Sequence, residues 1–426
     1  MGEGRGGNSF TISVPLLSDY RFTDSIGTLA FVSARSGFER YNDATMIPVP
    51  WAFAIGVALI VVVIWDAFEA IILPRRVTRR FRLTRLFYKT SWRVWRLAAS
   101  VSPSRKARET LFGFYGPISL LILVGIWAVG LVVGFGLLQF GAGSSVNVVG
   151  SQPGITTDFY LSGTTFFTLG LGDVIPRSGL ARFLVVAEAG LGFGFLAAVI
   201  GYLPFIYGSF SKREVNISLL DSRAGTPPTA GELLRRHTDD HGQEALRELL
   251  KEWEFWCAEL MESHLSYPVL CYFRSQHDNQ SWIGSLAAVL DTCALVKVGI
   301  EGACQRQADL TFAIARHAVV DLSQVFKTPP RPLPADRLPQ ADLRRIRETL
   351  AQHGLKLLDT EEADSNLAAL RLMYEPYLYA LANYLLLPLP PWIPLKSGKD
   401  NWQTTAWADT SSVSKTSRGV ATDDHF

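Results

Sequence analysis

The chain reads as an all-α membrane protein. Three transmembrane helices are expected, with a short re-entrant helix and loop between the second and third, and a helical cytoplasmic C-terminal domain. Three observations predict this. Three apolar blocks reach bilayer-spanning length, the loops between them differ sharply in charge, and beyond the third block apolar residues recur at three and four spacing.

The first block, WAFAIGVALIVVVIWDAFEAIIL, runs from Trp51 to Leu73 and stops at Pro74. The second is GPISLLILVGIWAVGLVVGFGLLQFG, Gly116 to Gly141, and the third ARFLVVAEAGLGFGFLAAVIGYLPFIYGSF, Ala181 to Phe210. Each holds the roughly 20 apolar residues a helix needs to cross a bilayer. Asp66 and Glu69 lie on one face near the cytoplasmic end of the first block, where pairing with Arg75 and Arg76 is favoured over a gating role. Ahead of it, residues 1–45 are rich in Gly and Ser and carry no signal-peptide pattern. They are expected to be a disordered N-terminal segment, with Met46 as an alternative start.

Loop charge orients the blocks. Between Pro74 and Phe112 stand twelve Lys or Arg and one acid, Glu109, whereas the 142–180 loop carries Asp158, Asp173 and a single base, Arg177. Excess positive charge marks the first loop as cytoplasmic, so the N-terminus and the second loop lie outside and the C-terminal half inside. A plasma-membrane location follows. The basic loop interleaves Arg with Phe, Leu, Trp and Tyr, the pattern of an amphipathic helix on an anionic inner leaflet; a solvated connector fits it equally well. The four cysteines match no zinc spacing and read as free thiols in a reducing compartment. A formal net charge of +2 argues against a general nucleic-acid binder.

The segment from Thr156 to Pro176 is too short to span a membrane and too apolar for a free loop. A helix from about Thr157–Asp158 to Phe167 would satisfy most of its own backbone, as membrane depth requires, and the extended TLGLG would then climb back out. If four copies surround an axis, the carbonyls of Thr168, Leu169, Gly170, Leu171 and Gly172 form rings that replace a cation's hydration shell. Alternate glycines permit the positive φ that such a ladder needs, and Asp173 at the outer mouth concentrates cations.

Two spans bracketing this helix and a T-x-G-x-G-D loop resemble the pore domain of the potassium channel superfamily, whose usual filter reads TVGYGD. The resemblance covers roughly Tyr115 to Phe210. It implies a homotetramer of this chain, with potassium as the permeant ion, the short helix as pore helix and Thr168 as the innermost site. Leu171 replaces the family's aromatic, and its aligned pore-helix partner is Leu161. An apolar Leu171–Leu161 cuff is expected in place of a hydrogen-bonded one, which leaves a non-selective cation channel as the alternative. Gly192 aligns with the family's inner-helix hinge, although close helix packing is an equal reading of Gly190, Gly192 and Gly194. Pro204 is expected to kink the cytoplasmic end. Glu188, one turn before Gly192, reads as a buried contact to the pore helix or a neighbouring subunit.

The expected organisation is therefore a peripheral transmembrane helix at 46–73, a basic amphipathic linker at 74–115, the pore domain at 116–210, a linker at 211–232, a helical regulatory domain at 233–395 and a disordered tail at 396–426. Within the regulatory domain, GSLAAVLDTCALVKVG and its neighbours read as amphipathic helices, and a Pro-rich break, KTPPRPLPADRLPQ, divides them. No G-x-G-x-x-G follows a strand, so a Rossmann-type nucleotide domain is not expected. His237, His241 and His264 read as ordinary helix histidines rather than a metal site, and residues 264–282 mix aromatic and polar side chains as a ligand pocket does. No nucleophile–base arrangement suggests an enzyme, and no cofactor is expected beyond the permeant potassium ions. A non-conducting membrane sensor or scaffold is the remaining alternative.

Overall fold

The computed structural model describes residues 48–73, 82–102, 104–148, 152–238, 241–277, 279–300 and 304–394. The expectations for 1–45, 396–426, Arg75 and Arg76 fall outside these residues.

Helix α1 (Pro50–Ile71) begins with Pro at its first position, where the missing N–H costs nothing. Helix α2 (Leu83–Ser100) follows, then α3 (Arg105–Gly141), opened by the Ser104 hydroxyl accepting from Ala107 N. At 1.5 Å per residue α3 is about 55 Å long, well beyond a bilayer's hydrocarbon core. Its first turns therefore project on the side of α2. Helix α1 packs along α3 through small residues: a Cβ on Gly56 would meet the Gly134 carbonyl oxygen at 2.7 Å, and one on Gly141 would meet Phe53 N at 2.4 Å. Such close approach is how helices associate where lipid removes the hydrophobic drive.

Strand β1 (Val146–Val148), helix α4 (Ile155–Phe166) and strand β2 (Val174–Pro176) precede α5 (Gly179–Ala224). The fold is thus not purely helical. β1 and β2 pair antiparallel, Val148 opposite Val174, and tie together the two ends of the segment that holds α4. Helix α5 runs unbroken through Pro204 and on to Ala224, into the region read from sequence as a linker.

The remaining helices are α6 (Ala230–Arg235), α7 (Gly242–Ser266), α8 (Trp282–Gly299), α9 (Gln305–Phe326), α10 (Gln340–Gln352), α11 (Glu361–Leu372) and α12 (Glu375–Leu385), with a short 3-10 turn at Pro268–Tyr272. Among the described residues, four helices are long and apolar enough to cross a membrane: α1, α3, α5 and α8. In α8, however, 89% of the apolar window is buried inside the protein, against 17% in α5. α8 is hydrophobic on nearly all sides because the helical module wraps it. Its expected amphipathic character is corrected accordingly.

The module's core does not stop at residue 233. It takes in Trp92 and Ala99 of α2, Phe112 and Tyr115 at the base of α3, and Ile217, Leu220 and Ala224 of α5. Helix α2 is amphipathic, as its sequence predicts. It buries Trp92 against Tyr115 and Tyr272 and exposes Leu86, Val94, Leu97 and Val101 among its basic residues. Trp92 Nε1 also donates to the Tyr384 carbonyl at 3.1 Å. Asp66 accepts from Thr84 N and Thr84 Oγ1 at the start of α2, the latter at 2.6 Å, and from Trp127 Nε1 at 2.9 Å. Glu69 pairs with Arg82 at 3.2 Å. These two carboxylates join α1, α2 and α3.

Candidate functional site

The site grows from α4. Its N-terminal end is anchored by Asp158, fully buried, which accepts from Ser144 Oγ at 2.5 Å. At its C-terminal end the last carbonyls have no intrahelical partner, and the following chain folds back onto them. Thr168 N donates to the Thr165 carbonyl at 3.0 Å, Leu169 N to Thr164 at 2.8 Å and Gly170 N to the same oxygen at 3.4 Å.

Along the next residues φ alternates in sign. It is +58° at Thr168, +57° at Gly170 and +78° at Gly172, with Leu169 and Leu171 between them outside the positive region. Sequence reasoning placed positive φ at the two glycines; Thr168 joins them despite its Cβ. Alternating handedness brings successive N–H groups to one side of the chain, and the carbonyls to the other. Here the N–H side faces α4. Leu169 and Leu171 are 57% and 61% exposed. Only Gly tolerates this backbone without cost, and a Cβ on Gly170 or Gly172 would meet nothing within 4 Å. Backbone conformation, not crowding, selects glycine at these two positions.

Both ends of the ladder are held. Tyr160 Oη donates to Asp173 Oδ2 at 2.8 Å, and Val174 enters the β2–β1 pairing one residue later. Tyr160 was not singled out from the sequence; its place one turn before Thr164 on α4 was the available signal. The expected cuff pairs Leu161 with Leu171, and the two sit differently: Leu161 is 5% exposed and Leu171 61%. Leu161 is buried against Val146 and Val174 of the strands.

Behind α4, Glu188 is fully buried and accepts from Ser162 Oγ, which also lies 2.7 Å from the Val132 carbonyl. One α4 hydroxyl thus meets α3 and α5 together. Gly192 lies one turn further along α5, where an added Cβ would stand 2.3 Å from the Phe166 carbonyl oxygen. Close packing explains Gly192 here, whereas Gly190 and Gly194 face nothing within 4 Å. Pro204 lies between Tyr202 and Ile206, both buried with Leu120, Leu270 and Phe273.

The joint between α5 and the module is Arg213. It is 3% exposed and donates to the carbonyls of Leu270 and Phe273, each at 2.9 Å, while Nη1 lies 3.1 Å from His264 Nε2. Burial, and then the neighbouring Arg213 charge, hold His264 well below the usual imidazole range. Val269–Phe273 are buried in this joint, while Ser266 and Tyr267 of the same stretch line a cavity of about 330 Å³ with Arg213 and Trp256. Among the described residues, no group of three or more His, Cys, Asp or Glu is placed to hold a metal ion. The four cysteines are free and buried.

Residues 121–204, from α3 through α4 and the ladder to Pro204, match a family described as "Ion channel". A curated relative, "Uncharacterized membrane protein YdjJ" of Bacillus subtilis (strain 168), is 23% identical over 187 residues, which is 43% of this chain and 54% of that protein. The chain therefore spans about half the length of this relative. No solved structure matches. The resemblance read from T-L-G-L-G-D thus coincides with the matched ion-channel segment, and the apolar helices fit a membrane protein.

Proposed function

We propose that four copies of this chain assemble around the 168–172 backbone to form a cation channel of the plasma membrane, with potassium as its main permeant ion. The observation that carries this reading is the alternating φ at Thr168, Gly170 and Gly172, with the amides of Thr168, Leu169 and Gly170 bonded to the last carbonyls of α4. Such alternation turns successive carbonyls to the side opposite the amides, and four chains around an axis would give a cation stacked rings of oxygen. The C-terminal end of α4 adds its negative dipole, and Asp173 adds a carboxylate at the mouth. Helix α5 supports assembly, since Phe183, Val186, Phe193, Leu196 and Ile200 are exposed along it. In this reading α1 is peripheral, the N-terminus and the α3–α5 loop are outside, and the module built on α8 lies in the cytoplasm, where Arg213 passes its state to α5.

A second reading, a cation channel that discriminates weakly between potassium and sodium, is favoured by Leu171. At 61% exposed it has no packing partner within the chain to stiffen the ladder. The test of conduction is Gly170→Ala. Alanine at φ +57° pays about 1–2 kcal/mol against its preferred backbone, with no clash to confuse the result. Barium-sensitive cation flux from proteoliposomes is expected to fall sharply, and unchanged flux from the variant would remove the ladder from the pathway.

A further inference from the structure

A cavity of about 850 Å³ opens where the base of the membrane region meets the module. One wall is Arg96 of α2 with Arg108 and Phe112 of α3; the other is Arg337 of the 333–337 loop with Asn383 and Leu387 around the end of α12. Its size suits a small organic ligand. The two walls belong to different parts of the molecule, so an occupant would bridge them.

The charge in the cavity is one-sided. Among the described residues, Arg96 and Arg108 have no ion-pair or hydrogen-bond partner, and both are exposed at its edge. Glu109, the acid on this wall, is matched by Arg274 at 3.8 Å. Deeper in, Arg337 is 10% exposed and fixed by Asp291 at 2.7 Å and Glu375 at 3.0 Å. Arg337 thus anchors the inner wall and is already committed to carboxylates, which leaves Arg96 and Arg108 as the charges open to an occupant. Phe112 and Leu387 supply apolar surface beside these donors.

We propose that this cavity binds an organic phosphate, with its anionic end at Arg96 and Arg108 and its apolar part against Phe112 and Leu387. Guanidinium suits this role because it is always charged and presents paired N–H groups to phosphate oxygens. The ligand's phosphate belongs either to a soluble nucleotide or to a phospholipid headgroup reaching down from the inner leaflet, beside the exposed Leu97 and Val101 of α2. Binding here clamps α2 and the base of α3 to α12, which makes the ligand a candidate regulator. Binding itself does not depend on conduction.

The experiment measures binding to the purified full chain in a neutral detergent. Titrants are ATP and dioctanoyl phosphatidylglycerol, with adenosine and dioctanoyl phosphatidylcholine as uncharged or zwitterionic counterparts. Wild type is expected to bind at least one anionic titrant saturably and neither counterpart. Arg96→Gln with Arg108→Gln is expected to weaken it roughly tenfold per arginine. The control, Arg85→Gln with Arg93→Gln, changes charge on α2 away from the cavity and is expected to alter affinity less than about threefold. ATP alone points to a soluble source, phosphatidylglycerol alone to a lipid one, and both to recognition of the phosphate itself. Absence of saturable binding by either anion overturns the proposal, as does an equal loss in the control, which would mean diffuse attraction to a basic surface.

Discussion

Gly192→Ala tests how the inner helix supports the ladder. The new Cβ would stand 2.3 Å from the Phe166 carbonyl oxygen and 3.1 Å from its carbonyl carbon. Ordinary C···O approach is about 3.3 Å or more, so α4 and α5 must separate by roughly 1 Å at this point. The obstacle is backbone at the last residue of α4 and cannot rotate aside. Overpacking of this kind costs about 1–3 kcal/mol. Removing a helix glycine returns about 1 kcal/mol, and that gain is shared by Gly190→Ala and Gly194→Ala, whose Cβ atoms would meet nothing within 4 Å. The difference between Gly192→Ala and Gly190→Ala therefore isolates the clash, at about 1–3 kcal/mol. Thermal unfolding of the detergent-solubilised protein measures it, and flux from the same preparations reports whether the shift reaches Thr168. If Gly192→Ala is as stable as Gly190→Ala, the close approach is wrong and the hinge reading regains its place.

Three further outcomes follow from buried polar groups. Asp66→Ala strands Trp127 Nε1 and uncaps α2, and is expected to cost about 2–4 kcal/mol; a loss below about 1 kcal/mol in thermal unfolding would show that Asp66 does not join these helices. His264 has a depressed folded pKa, so the unfolded chain binds more protons below about pH 6.5, and stability is full above that pH and falls below it. Urea midpoints on either side of that pH should show the fall, His264→Gln should flatten it, and a slope kept by the variant refutes the assignment. Burial raises all four cysteine thiols, so a thiol reagent is expected to react only after denaturation; rapid labelling of the native protein would contradict their packing.

The membrane blocks, the short helix at 155–166 and the need for positive φ at Gly170 and Gly172 were legible because each is a local consequence of composition or spacing. Thr168 was not, since its backbone is set by the Thr164 and Thr165 carbonyls rather than by its own preference. Strands of three residues, such as Val146–Val148, are too short to leave a period. They pack valines from elsewhere in the chain against Leu161, a contact that spacing does not show. Asp66 and Arg213 illustrate the same limit. Their charges were visible, but partners 18 and 51 residues away are fixed only by the packed fold. In α8 a largely apolar run, broken by Asp291 and Lys297, reflects burial on nearly all sides, which periodicity alone cannot tell from a membrane span.

The most direct measurement of the central claim is ion flux from liposomes holding the purified protein, comparing potassium with sodium at equal gradients. The account predicts potassium efflux that barium blocks, with the potassium-to-sodium ratio set by how firmly the neighbouring chains hold Leu171. Absence of flux for either ion from the folded protein, across pH, voltage and the phosphate ligands named above, would contradict it.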